Sequence, residues 1–438
     1  MAGGAYANLT LPGLLTERHL TGRDAAFATE LAYGTTRLRG QYDAVIAHVA
    51  GRDKIDPPVL DALRLGVHQI AAMRVPDHAA VAATVAVVRE AIGTGPGGFV
   101  NAVLRAITEG PYEALLEQVA PATDNTDKTL AIRYSHPEWV IRTLRQAMKT
   151  CGRDPAELTA LLAADNTQPE VTLVARPTLI TTDQLSQQVL QRTRHEATPS
   201  KWAPSALTMA RGAPGDLPAV RHGQAAVQDE GSQLVAWALA EATTTQEDQG
   251  RWLDLCAGPG GKAALLGAIA KERGAHLTAN EPQAHRAELV RHTVAQLGDA
   301  VAVTEQDGRD FTGTFDRVLV DAPCTGLGAL RRRPEARWRH SPRDLTTLGP
   351  LQRDLLRAAI GVTRPGGLVA YSTCSPHHAE TRLVVQDVLA KHPEVSVLDA
   401  AQVPLLAATG AVGPDGMVQL WTDQHGTDSM FLALLRRG

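Results

Sequence analysis

Two thiols and an acid in the second half of the chain have the types and spacing for group-transfer chemistry. "VDAPC" ends at Cys324 and "YSTCS" carries Cys374, each thiol following directly on an apolar, strand-like run. A cysteine is by default a small buried hydrophobe, and that reading fits Cys151 and Cys256. Cys324 and Cys374 stand beyond the apolar part of their strands, where a following loop or helix start can lower a thiol pKa. Beside Asp321, such a pair suits methylation at C5 of a cytosine. That carbon is too weakly nucleophilic to take a methyl group directly. Thiolate addition at C6 turns the ring into an enamine, and C5 can then attack the methyl of S-adenosylmethionine. A carboxylic acid near N3 assists by hydrogen bonding or protonation, the part expected of Asp321. The C5 proton then leaves and the thiol is eliminated, a step that a second thiol can help. Residue types alone leave open which cysteine is the nucleophile.

A cofactor site is expected at "LDLCAGPGGKA", which follows one predicted strand and opens a helix. Gly258, Gly260 and Ala263 also satisfy G-x-G-x-x-A, so a nicotinamide-dependent oxidoreductase has to be weighed. A phosphate-binding loop fits poorly, because Lys262 is followed by alanine. Glu281, ending the next strand, is placed to accept ribose hydroxyls, and Asp307 in "EQDGRDF" to accept from an adenine amino group. Glu281, Asp307, Asp321 and Cys374 thus end successive strands, and four such residues in register with a glycine turn mark a ligand crevice. The oxidoreductase reading gives the paired thiols no work.

The run Arg331, Arg332, Arg333, Arg337 with Trp338 follows the first thiol. Arginine forks grip phosphates and an indole offers a stacking face, so these five are expected to contact RNA whose target base is unpaired or flipped out. A net charge of −4 requires any polyanion site to be such a local patch. Four cysteines without a C-x-x-C pair argue against a zinc ribbon and a secreted disulfide framework. No metal is assigned, the adjacent His377 and His378 included.

The elements that position these groups follow from periodicity. Residues 1–122 read as successive helices: "GRDAAFATELAYGTTRLRGQYDAVIAHVA", "DPPVLDALRLGVHQIAAM" and "GGFVNAVLRAITE". A linker and small α+β domain are expected over 123–225, with strand "EVTLVARP" and helix "TTDQLSQQVLQR". From 226 to 438 strand, turn and helix alternate, which predicts a Rossmann-like, doubly wound, mostly parallel sheet. "GMVQLWT" and "MFLALLRR" are expected to add an antiparallel edge. Hydrophobic residues at 44% and charged residues at 21% describe a soluble globular chain. No apolar run reaches the roughly 20 residues of a membrane span, and the N-terminus lacks the order of a secretory signal. A cytoplasmic protein is expected.

"LDLCAGPGGK", "DAPCTGLGALRRRPEARW" and "YSTCSPHHAE" resemble the RNA cytosine-5 methyltransferases of the Sun (Fmu, RsmB) group, which act on 16S ribosomal RNA. "GFVNAVLR" and its neighbours are similar to that group's NusB-like RNA-binding domain. The resemblance implies that Cys374 is the nucleophile and that Cys324 assists release. It also implies that Cys256, Ala257, Gly258, Pro259, Gly260, Gly261, Lys262, Glu281, Asp307 and Asp321 bind S-adenosylmethionine. The implied partner is 16S rRNA or a small-subunit precursor. The same chemistry on tRNA or another rRNA site, and a non-catalytic RNA-binding protein, are the alternatives. Two departures stand out. The stretch before "YANL" is shorter than in relatives, so an incomplete first helix is expected. Ser429-Met430 replaces the group's usual Gly-Phe, in a hairpin expected to lie far from the chemistry.

Overall fold

Apolar residues at helical spacing and strand alternation are what build this chain, and the computed structural model describes residues 7–438 of it. The expected truncation ahead of "YANL" lies largely outside the described residues. The chain divides into two compact units. One holds Met1–Arg145, Ala156–Thr167 and Leu330–Ser341; the other holds Gln146–Pro155, Gln168–Ala329 and Pro342–Gly438.

The first unit is helical. The stretch expected as one helix over 22–50 breaks at Leu38 into Gly22–Arg37 and Arg39–Ala50. Gly51 ends the second of these in a left-handed conformation, with φ of 65°. Helix Pro57–Ala71 starts on two prolines, whose missing amide costs nothing in a first turn. Helices Asp77–Ala91 and Gly97–Ile107 complete the packing around Tyr42, Ile46, Leu63, Val67, Leu104 and Ile107. A polar pair enters this core, Tyr42 Oη to His68 Nδ1 at 2.8 Å.

The second unit carries two sheets. The smaller is antiparallel, built from β1 (Val171–Ala175), β2 (Thr198–Pro199), β3 (Ala206–Met209) and β4 (Ala225–Val227) in the order β2-β3-β1-β4. The linker and small α+β domain expected over 123–225 is shared between the two units. Its early part belongs to the helical unit and its sheet to the second. Strand alternation explains the second assignment. Leu173 and Ala175 pack with Leu185 and Val189 of helix Thr182–Thr193. Val174, on the opposite face, joins the buried cluster of Leu234, Leu265 and Leu420.

The larger sheet has eight strands: β5 (Arg251–Asp254), β6 (His276–Asn280), β7 (Val301–Thr304), β8 (Phe315–Asp321), β9 (Thr363–Thr373), β10 (Val395–Leu398), β11 (Val418–Gln419) and β12 (Phe431–Arg437). Its order is β10-β12-β9-β8-β5-β6-β7, with β11 paired to β12. β5 to β9 pair in parallel, while β12 runs antiparallel to both β9 and β10. β12 is therefore not the expected edge but an interior strand. Its run Phe431–Leu435 is buried throughout, as a strand covered on both faces must be. On β8, Val318 and Val320 face Leu355 and Leu356, and Leu319 faces Leu265 and Ile269. Strand order reverses direction between β5 and β8, which opens a crevice beyond their C-terminal ends.

Candidate active site

The glycine turn fills the mouth of that crevice. β5 ends at Asp254, and helix Gly261–Glu272 begins seven residues later with Gly260 at its cap. Gly260 has φ of 111°, and a Cβ there would stand 2.8 Å from Thr293. At Gly258 a Cβ would meet Glu281 Oε2 at 2.0 Å. Only glycine lets this backbone lie against the carboxylate that ends β6. Ala257 N donates to Asn280 O at 2.8 Å, and Gly260 N to Ala257 O at 2.7 Å. Arg286 closes the group, donating to Gly258 O at 2.8 Å and lying 3.4 Å from Glu281 Oε2.

Cys256 sits inside a ring of carboxylates. Burial, then the charges of Asp254, Asp321 and Glu281, push its thiol well above the ordinary range. It is a protonated lining group. Asp254 is buried, and burial followed by the Asp321 charge raises its pKa to about 7. Its Oδ1 accepts from Cys256 N at 3.3 Å, and Oδ2 has no partner.

Lys262 stands in the first turn of its helix, where the dipole disfavours a cation. It reaches Asp321 at the end of β8, Nζ to Oδ2 at 2.9 Å. Ser372 Oγ donates to the other oxygen at 3.1 Å. Burial opposes the lysine charge, but Asp321 and then Cys374 outweigh it and the Lys262 pKa is raised. A single cation thus couples the glycine turn, the acid and one thiol.

The two thiols meet. Strands β8 and β9 pair in parallel with Asp321 opposite Ser372, so the segments that follow emerge side by side. Cys324 Sγ lies 3.5 Å from Cys374 Sγ, against about 2.05 Å for a disulfide. The expectation that both pKa values fall is corrected at Cys324. Its hydrogen bond to Cys374, then burial, raise it well above the ordinary thiol range. Cys324 therefore keeps its proton.

The hairpin carrying Ser429 and Met430 is not distant, as expected, but braces this region. Ser429 N donates to Gly328 O at 2.9 Å, and Gly328 N to Cys374 O at 2.8 Å. A Cβ at Gly328 would meet Ser429 O at 2.0 Å.

Asp307 lies three residues past β7 at the cap of a short turn, half-buried and engaged by Arg309. Its Oδ1 accepts from Arg309 N at 3.0 Å and from Nε at 2.9 Å. The Arg309 side chain, then its amide, hold the Asp307 carboxyl down at about 2. Sequence reading missed Asn280, which is fully buried and accepts from Gln306 N while donating to Gln306 O and Leu255 O. That one amide fixes the loops carrying Glu281 and Asp307. A polar residue closing an apolar strand was the available signal.

The arginine run departs most from expectation. Leu330–Ser341 belongs to the helical unit. Arg337 is fully buried there, donating to Ser135 O at 3.0 Å, Asp165 O at 3.1 Å and Asn166 Oδ1 at 2.8 Å. Trp338 Nε1 donates to Thr36 O at 2.9 Å, and Arg331 is buried beside Arg37, whose Nη2 donates to the Arg331 carbonyl at 3.3 Å. Carbonyls take the donors that were assigned to phosphates, because a buried guanidinium must find acceptors. Arg332 is half-buried and Arg333 exposed.

Comparison with known proteins adds the following. A NusB family model matches residues 1–109, and a model described as 16S rRNA methyltransferase RsmB/F matches residues 241–436. A Mycobacterium tuberculosis protein named "Putative methyltransferase Rv1407" is 50% identical over 443 residues, covering 100% of this chain and 93% of the relative. The ribosomal RNA small subunit methyltransferase B of Pseudomonas syringae is 30% identical over 446 residues, covering 99% of this chain and 94% of its own. The crystal structure of PH0851 shares the fold at a TM-score of 0.76 and 24% identity, covering 97% of this chain and 93% of that one. NSun6 from Pyrococcus horikoshii, solved with SFG, does so at 0.56 and 17%, covering 68% of this chain and 98% of that one. The oxidoreductase and the non-catalytic reading both fall to these matches. The chain belongs to the 16S rRNA methyltransferase RsmB/F family, an S-adenosylmethionine-dependent RNA methyltransferase domain joined to a NusB-family domain.

Proposed function

We propose that this enzyme methylates C5 of a cytosine in 16S rRNA, in the cytoplasm, with Cys374 as nucleophile and Cys324 as the group that assists release. One observation carries the reading: two sulfurs 3.5 Å apart, beside a Lys262–Asp321 pair at the end of the neighbouring strand. The proton held on Cys324 supports the division of labour. The Cys374 hydrogen bond and burial keep Cys324 protonated, and Cys374 is the sulfur that adds to C6. Asp321, held by Lys262 and Ser372, is the hydrogen-bonding group for the N3 side of the ring. After transfer the C5 proton departs to a base and the carbon–sulfur bond breaks; Cys324 is the nearest thiol to that bond.

The residues at the glycine turn suit S-adenosylmethionine. Gly258 and Gly260 admit no side chain, Glu281 is a buried strand-end carboxylate, and Asp254 keeps one buried oxygen without a partner. When bound, that cofactor supplies an electrophilic methyl group. Cys256, Ala257, Pro259, Gly261 and Lys262 complete the turn, and Asp307 lies at the neighbouring strand end.

RNA would meet the exposed Arg333 and half-buried Arg332, with Arg331, Arg337 and Trp338 holding that segment rather than touching phosphate. The test uses purified protein, 16S rRNA and radiolabelled cofactor. Cys374→Ala should abolish incorporation, and Cys324→Ala should accumulate a denaturation-resistant protein–RNA adduct. Full activity in the Cys374 variant would end this reading.

A further inference from the structure

Glu380 is a fully buried carboxylate that the reaction as described does not use. It closes the short turn His378–Glu380, six residues after Cys374. Its Oε1 accepts from Thr325 N at 2.8 Å and Gln352 Nε2 at 3.3 Å. Its Oε2 accepts from Thr325 Oγ1 at 2.5 Å and Ser375 Oγ at 2.6 Å. Thr325 directly follows Cys324, and Ser375 directly follows Cys374. All four donors are N–H or O–H groups, so the site accepts an acceptor-only side chain and no amide or hydroxyl in its place.

We propose that Glu380 is a positioning residue that ties together the two backbone segments bearing the thiols and so sets the spacing and relative reactivity of Cys324 and Cys374. Two further bonds make the tie rigid. Gln352 Nε2 also donates to Pro323 O at 2.9 Å, on the other side of Cys324. Tyr371 Oη donates to the Glu380 carbonyl at 2.8 Å, which fixes the turn against β9. Thr325 Oγ1 and Ser375 Oγ lie 3.2 Å apart, each already oriented by Glu380. Of the causes that raise the Cys324 pKa, the Cys374 hydrogen bond, burial and the Cys374 charge come first, and the Glu380 charge is next. The carboxylate therefore acts on the thiols in two ways. Its hydrogen bonds hold the two segments in register, and its charge favours the proton on Cys324.

This inference rests on the two-thiol reading, and its test is separable from it because no RNA is needed. The full-length protein is alkylated with iodoacetamide across pH 6 to 9 (about the window in which a thiol near its ordinary pKa titrates), and each cysteine is followed by mass spectrometry. In the wild type Cys374 should react ahead of Cys324, with Cys151 and Cys256 as slow internal references. Glu380→Gln, which keeps the shape, should shrink the Cys374-to-Cys324 rate ratio by about tenfold. Glu380→Asp should restore part of it. Should the Gln variant fold poorly, Ser375→Ala removes one of the four bonds and is expected to shift the same ratio in the same direction, by less. An unchanged ratio and pH profile in a folded Gln or Ala variant would overturn the proposal. If Cys374→Ala kept full methyl transfer, the functional reading would fall instead, whatever the alkylation showed.

Discussion

Lys262 and Asp321 join the glycine turn to the acid at the end of β8, Nζ to Oδ2 at 2.9 Å, with only 11% of the lysine side chain exposed. The helix start that carries Lys262 repels its charge, so the lysine is held there by the carboxylate and not by its own helix. Replacing it takes from Asp321, beside Asp254 and Glu281, the cation that holds it. Lys262→Met should lower methyl transfer by about a hundredfold, the scale on which preorganised charged groups act in a closed site. Its stability loss should be smaller, about 1–3 kcal/mol, as for a partly buried group left unpaired. Urea titration beside a single-turnover assay separates the two effects.

Gly328 gives a sharper steric test. Its amide holds the Cys374 carbonyl and its own carbonyl takes the Ser429 amide, with no room for a Cβ. Gly328→Ala must push Ser429 or the Cys374 backbone aside. Overpacking of this kind costs about 1–3 kcal/mol, and the displacement falls on the nucleophile itself. The variant should bind S-adenosylmethionine normally by calorimetry yet lose most methyl transfer. Wild-type turnover would show that the hairpin is not coupled to the thiol.

How much of this was legible beforehand follows the range of the interactions. Strand β5, the glycine turn and helix Gly261–Glu272 are local, and periodicity with glycine spacing reveals them. The meeting of Cys324 and Cys374 needs only two adjacent parallel strands ending together, which the strand-end pattern implied. Glu380 was hidden, because in "SPHHAE" it looks like any solvated loop acid; its partners come from three separate segments. The arginine run is opaque in the sequence for the same reason. Arg337 finds its acceptors 202 and 172 residues away at Ser135 and Asp165, and a charge run does not disclose whether carbonyls or phosphates await it. β12 reads as an edge in the sequence because a continuous apolar strand carries no sign of its neighbours.

Arg333 and Arg337 should therefore separate cleanly. Arg337→Met leaves several carbonyls of the helical unit without donors in a buried place, and breaking such a network costs about 3–5 kcal/mol. Its melting temperature should fall. Arg333→Glu changes an exposed side chain and should leave melting unchanged while weakening RNA binding, with a shallower salt dependence. Fluorescence anisotropy with an rRNA fragment at two salt concentrations measures the second. Equal RNA affinity in the Arg333 variant would remove this segment from the RNA surface.

The same buried network predicts how the helical unit responds to acid. His136 is buried, its Nδ1 2.6 Å from Tyr134 O and its Nε2 3.8 Å from Asp165, with the Arg337 guanidinium close by. Burial, then the Arg337 charge, lower its pKa to about 4, although Asp165 acts the other way. A histidine depressed in the folded state is neutral there while the unfolded chain takes up a proton near pH 6.5, so stability is complete above that value and declines as pH falls toward 4. Between pH 6.5 and 5 the loss should be about 2 kcal/mol for this one group. Hydrogen exchange of the peptide covering 127–145 should show protection falling over that interval. His136→Gln, which cannot take up the proton, should flatten the decline, and an equally steep profile in that variant would assign the acid response to other groups.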